Sequence, residues 1–182
     1  MAANTGRVVG RNGEVQIEVA NLEAPSLVLS SNWMHAMIEN GSFQMVFGQR
    51  APYAEDFSAA LVVELPVGNV EKALGSGEFF QLLAAEEHVE ISEMRLTSRN
   101  PFPPERTLFE RATFVSFAYM DEDAEVRFFR LSASDFELLK KGKREGILLV
   151  HPVVQVNCSR HTLFSFLSQT MEAISKNREA SE

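Results

Sequence analysis

Cys158-Ser159-Arg160-His161 places a thiol three residues from an imidazole, the pairing from which a cysteine nucleophile and its base can be made. Such a pair works only if the thiol pKa is lowered and a third group orients the ring. Here Cys158 ends an apolar strand pattern. His161 falls in the first turn of the helix that follows, where the dipole disfavours a positive ring. The pair is expected to be structural. His35, His88, His151 and His161 show no metal spacing such as two histidines on one helix face. Asp121-Glu122-Asp123 with Glu125 could draw a cation, but it lacks the glycine and ligand spacing of a calcium loop and reads as a solvated hairpin tip. Gly75-Ser76-Gly77 is too short to cradle a phosphate. Pro101–Arg106 spells a proline-rich ligand pattern (P-x-x-P-x-R), expected here as a rigid loop. No Walker, Rossmann or nucleophile-elbow fingerprint occurs. The expectation is therefore a protein with no catalytic residue, no cofactor and no metal site.

Apolar rings are the more unusual resource. The chain holds 14 Phe against two Tyr and one Trp, and Phe has no polar handle, so these rings belong in a core or an apolar groove. Trp33, Phe43, Phe47, Phe114, Phe117 and Phe128 are the candidates for a protein-binding surface. The net charge is −8. All of it falls in residues 1–91, with four Lys/Arg against twelve Asp/Glu, while residues 92–182 carry thirteen of each. Such a field repels phosphate and argues against nucleic acid. The cluster Lys140, Lys141, Lys143 and Arg144 is expected to complement a helix C-terminus stopping at Gly142. With one cysteine, no long apolar run and no leader-like N-terminus, the chain reads as cytoplasmic, without a membrane partner.

The elements that must position these groups are mostly strands. Asn12-Gly13, between Val8-Val9 and Val15/Ile17/Val19, predicts a hairpin. Ser26–Ile38 predicts one long strand, and Asn40-Gly41 turns it into the alternating Phe43/Met45/Phe47. Ala59–Leu65 is a strand closed by Pro66, and Val67–Leu74 a short helix cut at Gly75. Gly77–Glu87 is a second helical piece, and Val89 and Ile91 begin another strand. Ser98–Arg106, with three prolines, is irregular. Leu108–Met120 and Glu125–Leu131 are strands. Ser132–Lys141 is a helix with Ser134 and Glu137 at capping-box spacing. Gly146–Cys158 is a strand pair or one strand bent at Pro152. Leu163, Phe166, Leu167, Thr170, Met171 and Ile174 then give one stripe of an amphipathic helix. The fold class expected is α+β, with antiparallel sheet and helices packed on one face. A single domain is expected over 6–176, with a flexible tail at 177–182. A weak β-β-α repeat at an offset of 66 would place Leu65, Val70, Glu71 and Ala73 on Leu131, Phe136, Glu137 and Leu139.

Ser31-Asn32, followed after ten residues by the aromatic-alternating Phe43–Gln49, resembles a small bacterial domain family of unknown function. The strand, proline and short helix of Val62–Leu74 continue that likeness, which spans about a quarter of the chain. In outline the pattern is similar to SecB-type export chaperones, acidic cytosolic tetramers that hold unfolded chains in apolar grooves. The resemblance implies a holdase.

Three functions follow as expectations. The first is a non-enzymatic protein-binding or assembly component, partnered by itself as a homo-oligomer or by another protein. Long two-sided apolar strands such as Ser26–Ile38 and Gly146–Cys158 need cover on both faces, and a partner subunit would supply it. The second is the SecB-like holdase, and the third an enzyme whose site is assembled from scattered polar residues.

Overall fold

The computed structural model describes residues 7–9, 15–19, 24–39, 41–50, 57–74, 107–134, 137 and 146–179. Strands dominate them: β1 (Arg7–Val9), β2 (Val15–Val19), β3 (Leu27–Ser30), β4 (Trp33–Glu39), β5 (Ser42–Arg50) and β6 (Phe57–Pro66), then β7 (Leu108–Arg111), β8 (Phe114–Met120), β9 (Asp123–Leu131) and β10 (Gly146–Ser159). Helix α1 (Val67–Leu74) follows β6 and helix α2 (Arg160–Glu179) follows β10. The protein is a strand-rich α+β fold.

One sheet runs β1-β2-β10-β9-β8 with β3 also lying along β10; the other runs β4-β5-β6-β7. An antiparallel sheet throughout was the expectation, and the pairings correct it. The hairpin-linked neighbours are antiparallel, but β10 is parallel to both β2 and β3, and β6 is parallel to β7. Parallel partners need long connections, and these strands are far apart in the chain.

Two expected long strands are each divided. Ser26–Ile38 breaks at Ser31-Asn32, so that β3 joins one sheet and β4 the other. Leu108–Met120 breaks at Ala112-Thr113 in the same way, into β7 and β8. The breaks are held by hydrogen bonds from side chains to backbone. The Ser31 hydroxyl accepts from Gly48 N–H at 3.0 Å and donates to the Trp33 carbonyl at 2.6 Å. Asn32 clasps Arg50 at two points, Oδ1 accepting from its N–H (2.7 Å) and Nδ2 donating to its carbonyl (2.9 Å). Short polar side chains at strand ends compete well for backbone groups, and here they turn the chain from sheet to sheet.

The β4–β5 turn is as expected from Asn40-Gly41, with Gly41 at φ 77°, a conformation open to glycine without steric cost. Gly48 answers a different need. It lies at a bulge between β5 and β6, and a Cβ there would stand 2.3 Å from the Ser58 carbonyl oxygen. Gly146–Ser159 is one strand with a bulge at Pro152–Val154. Pro152 falls between the stretch paired with β2, ending at Val150, and the stretch paired with β3, starting at Val154. Its missing N–H therefore falls where the ladder is already interrupted.

Both sheets and both helices contribute to one core. Phe43, Met45, Phe47, Leu61 and Val63 meet Val126, Phe128, Val154 and Val156, together with Leu163, Phe166 and Leu167 of α2. Burying each large side chain is worth about 1.5–3 kcal/mol relative to exposure. The expected stripe of α2 is buried, with Met171 half-buried at its margin. Thr170 fits this apolar stripe because its hydroxyl donates to the Phe166 carbonyl at 2.9 Å. The helix starts at a Ser159 cap, whose Oγ accepts from Thr162 N–H at 3.1 Å. It continues through Glu179, where a tail was expected from 177, and Arg178 near its end pairs with Glu71 of α1 at 3.1 Å.

Candidate functional site

The six ring candidates are placed by the same packing. Phe43, Phe47, Phe117 and Phe128 lie in the shared core, and Phe47 and Phe128 meet edge-to-face with centroids 5.5 Å apart. Trp33 is buried on the opposite face of the second sheet with Val46, Ala59 and Val62. Phe114, at the start of β8, is half-buried. In this conformation five of the six build cores and do not offer a surface.

The exposed apolar side chains are others: Val28 (53%), Leu108 (51%), Phe109 (62%) and Met120 (76%). Leu108 and Phe109 are consecutive on β7, so they point to opposite faces of the strand, and both faces are open. Only the adjacency of two apolar residues in a short segment signalled them in the sequence, and that pattern also fits a strand buried on both sides.

The thiol–imidazole pair is not activated. Cys158 packs against the core, and burial pushes its thiol up to about 12, so it is protonated near neutrality. His161 is exposed at the start of α2. His151 is exposed as well, and His88 lies outside the described residues. His35 is half-buried on β4, stacked on Trp33 at 5.9 Å and 15°. Burial holds its imidazole below the ordinary value, partly offset by a side-chain hydrogen bond with Gln169 of α2.

The acidic tip joins β8 to β9, with Asp121 in the left-handed region at φ 54°. Glu125 pairs with Arg127 at 2.9 Å, and the Glu122 carbonyl accepts from Arg160 N–H at 2.8 Å. The Arg160 guanidinium lies over Tyr119 (5.0 Å) and Phe164 (5.4 Å), anchoring the tip to the start of α2. Among the described residues no group of three His, Cys, Asp or Glu is arranged to hold a metal ion. None of their helices is long and apolar enough to cross a membrane. Gly75–Gly77, Pro101–Arg106 and the basic cluster at 140–144 lie outside the described residues.

Compared with known proteins, the chain matches no family model, no curated protein and no solved structure.

Proposed function

We propose that this protein is a non-enzymatic protein-binding or assembly component, working as a homo-oligomer or with another protein. The observation that carries this reading is β7, a strand with Leu108 and Phe109 exposed on opposite faces. Apolar side chains presented by a terminal strand of a sheet are suited to contact another chain. The finer reading of the fold that goes with it is of largely antiparallel sheet with helices packed on one face.

Light scattering across the micromolar range tests it. The wild-type protein is expected at two or more times 20.3 kDa. Phe109→Glu, which alters an exposed ring and leaves the core alone, shifts it toward the single-chain mass. A wild-type protein that stays at 20.3 kDa overturns the homo-oligomer.

A holdase is the second reading, favoured by Met120 at 76% exposure, a flexible thioether of the kind used at adaptable surfaces. It requires that the native protein suppress aggregation of an unfolded client, and that Phe109→Glu or Met120→Glu weaken this.

A further inference from the structure

The two divided strands are not a coincidence of sequence. Adding 81 to the bounds of β3, β4 and β5 gives those of β7, β8 and β9: Leu27–Ser30 becomes Leu108–Arg111, Trp33–Glu39 becomes Phe114–Met120, and Ser42–Arg50 becomes Asp123–Leu131. Adding 93 carries the end of β6 and start of α1, Pro66 and Val67, onto the end of β10 and start of α2, Ser159 and Arg160. The difference of 12 is an insertion between β9 and β10.

Finer details obey the same two offsets. The bulge that passes from Phe47↔Leu61 to Gly48↔Ala59 recurs as Phe128↔Val154 to Phe129↔Pro152. Asn32 Oδ1 accepts from Arg50 N–H (2.7 Å), and Thr113 Oγ1 accepts from Leu131 N–H (3.2 Å). Ser31 N–H donates to the Asn157 carbonyl at 2.8 Å, and Ala112 N–H to the Glu64 carbonyl at 2.9 Å. A shift of 66 preserves none of this: the counterpart of Leu65 is Cys158, not Leu131.

The last pair of bonds crosses between halves, and so do the parallel strand pairings. Leu27–Ser30 of the first half lies along Val154–Asn157 of the second, and Leu108–Arg111 of the second lies along Leu61–Glu64 of the first. Each pairing maps onto the other under the offsets. A contact in which i meets j while the equivalent of j meets the equivalent of i has the reciprocity of a twofold interface between identical subunits.

We propose that the chain is two copies of one β-β-β-β-α unit fused in tandem, each giving its first strand to the sheet of the other. The outer edges of β6 and β10 are then interaction surfaces whose partner is the first strand of a second copy of the unit. This is independent of the oligomer proposed above, which would use surfaces left over after the exchange. It also accounts for the cover that the long apolar strands need.

Cysteine pairs in the full chain test the exchange. With Cys158→Ser as background, Ser30→Cys/Asn157→Cys and Glu64→Cys/Arg111→Cys sit at equivalent places in the two exchanges. Met37→Cys/Gln44→Cys, facing each other within the first unit, is the control. A recognition sequence for a site-specific protease is inserted within residues 95–100. After oxidation and cleavage, both exchange pairs should run at the uncleaved mass without reductant, while the control separates into two fragments. Fragments that separate in either exchange pair, or cross-links at twice the chain mass, overturn the proposal. If a double variant does not fold, native mass of the cleaved chain that carries only the inserted recognition sequence takes its place: co-migration of the fragments is expected, and their separation overturns the proposal.

Discussion

Phe47 and Phe128 occupy the same position in their respective strands, β5 and β9, and touch each other edge-to-face at 5.5 Å between centroids. Each ring is about 1% exposed or less. A contact between equivalents is what lies on the axis of a twofold arrangement, so this pair marks where the two halves meet. Either truncation to Ala should cost about 3–5 kcal/mol in urea unfolding. The double variant should cost less than the sum by about 0.5–1.5 kcal/mol, the coupling of an aromatic pair. Strict additivity would show that the rings are packed independently.

Gly48 and Phe129 are also equivalents, yet only the first position forbids a side chain. A Cβ at Gly48 meets backbone at 2.3 Å, and backbone cannot swing away as a side-chain tip can. Gly48→Ala should destabilise by about 1–3 kcal/mol, the range of overpacked sites. An unchanged urea midpoint would mean that the bulge relaxes freely.

Cys158 should be slow to alkylate. Its thiol rises from 9.0 to about 12 by burial. At pH 8 the thiolate fraction then falls by about a thousandfold, one decade for each unit of pKa. Iodoacetamide labelling of the native protein should follow that ratio against labelling in urea. Equal rates in the two conditions would place the thiol at the surface.

His35 gives stability a pH dependence with a definite sign. Its folded pKa lies below the ordinary 6.5 because burial disfavours the charged ring. The unfolded chain then binds the proton first as pH falls, so this contribution is complete above about 6.5 and is lost on descending toward the folded value. His35→Asn should flatten the urea midpoint between about pH 7 and 5 relative to wild type. Parallel profiles for the two proteins would assign the dependence to other groups.

Local chemistry was legible in the sequence, and long-range pairing was not. Asn40-Gly41 specified its turn, Pro66 the end of β6, and the 3.6-residue spacing of Leu163 to Ile174 the buried stripe of α2. The breaks at Ser31-Asn32 and Ala112-Thr113 are not legible, because an apolar strand looks the same whether or not it changes sheets midway. The duplication was hidden by the insertion before β10 and by sparse identity: among equivalent positions, Leu27/Leu108, Phe47/Phe128, Val63/Val156 and Leu74/Leu167 agree. Hydrophobic pattern survived where residue identity did not. The ring candidates were misplaced for a related reason, since sequence cannot count how many rings a core will hold.

The reciprocal pairing of β3 with β10 imposes an order on synthesis. Val154 is made 127 residues after its partner Leu27. At about 5–20 residues per second, roughly 6–25 seconds pass on the ribosome before the earlier strand has anything to pair with. Until Leu108–Arg111 of β7 is made, the sheet of the first half also lacks its final strand, and Leu27 and Leu29 wait longer still for β10. Neither half can finish alone while translation proceeds. The cell must therefore tolerate an unclosed apolar intermediate until β10 has been made.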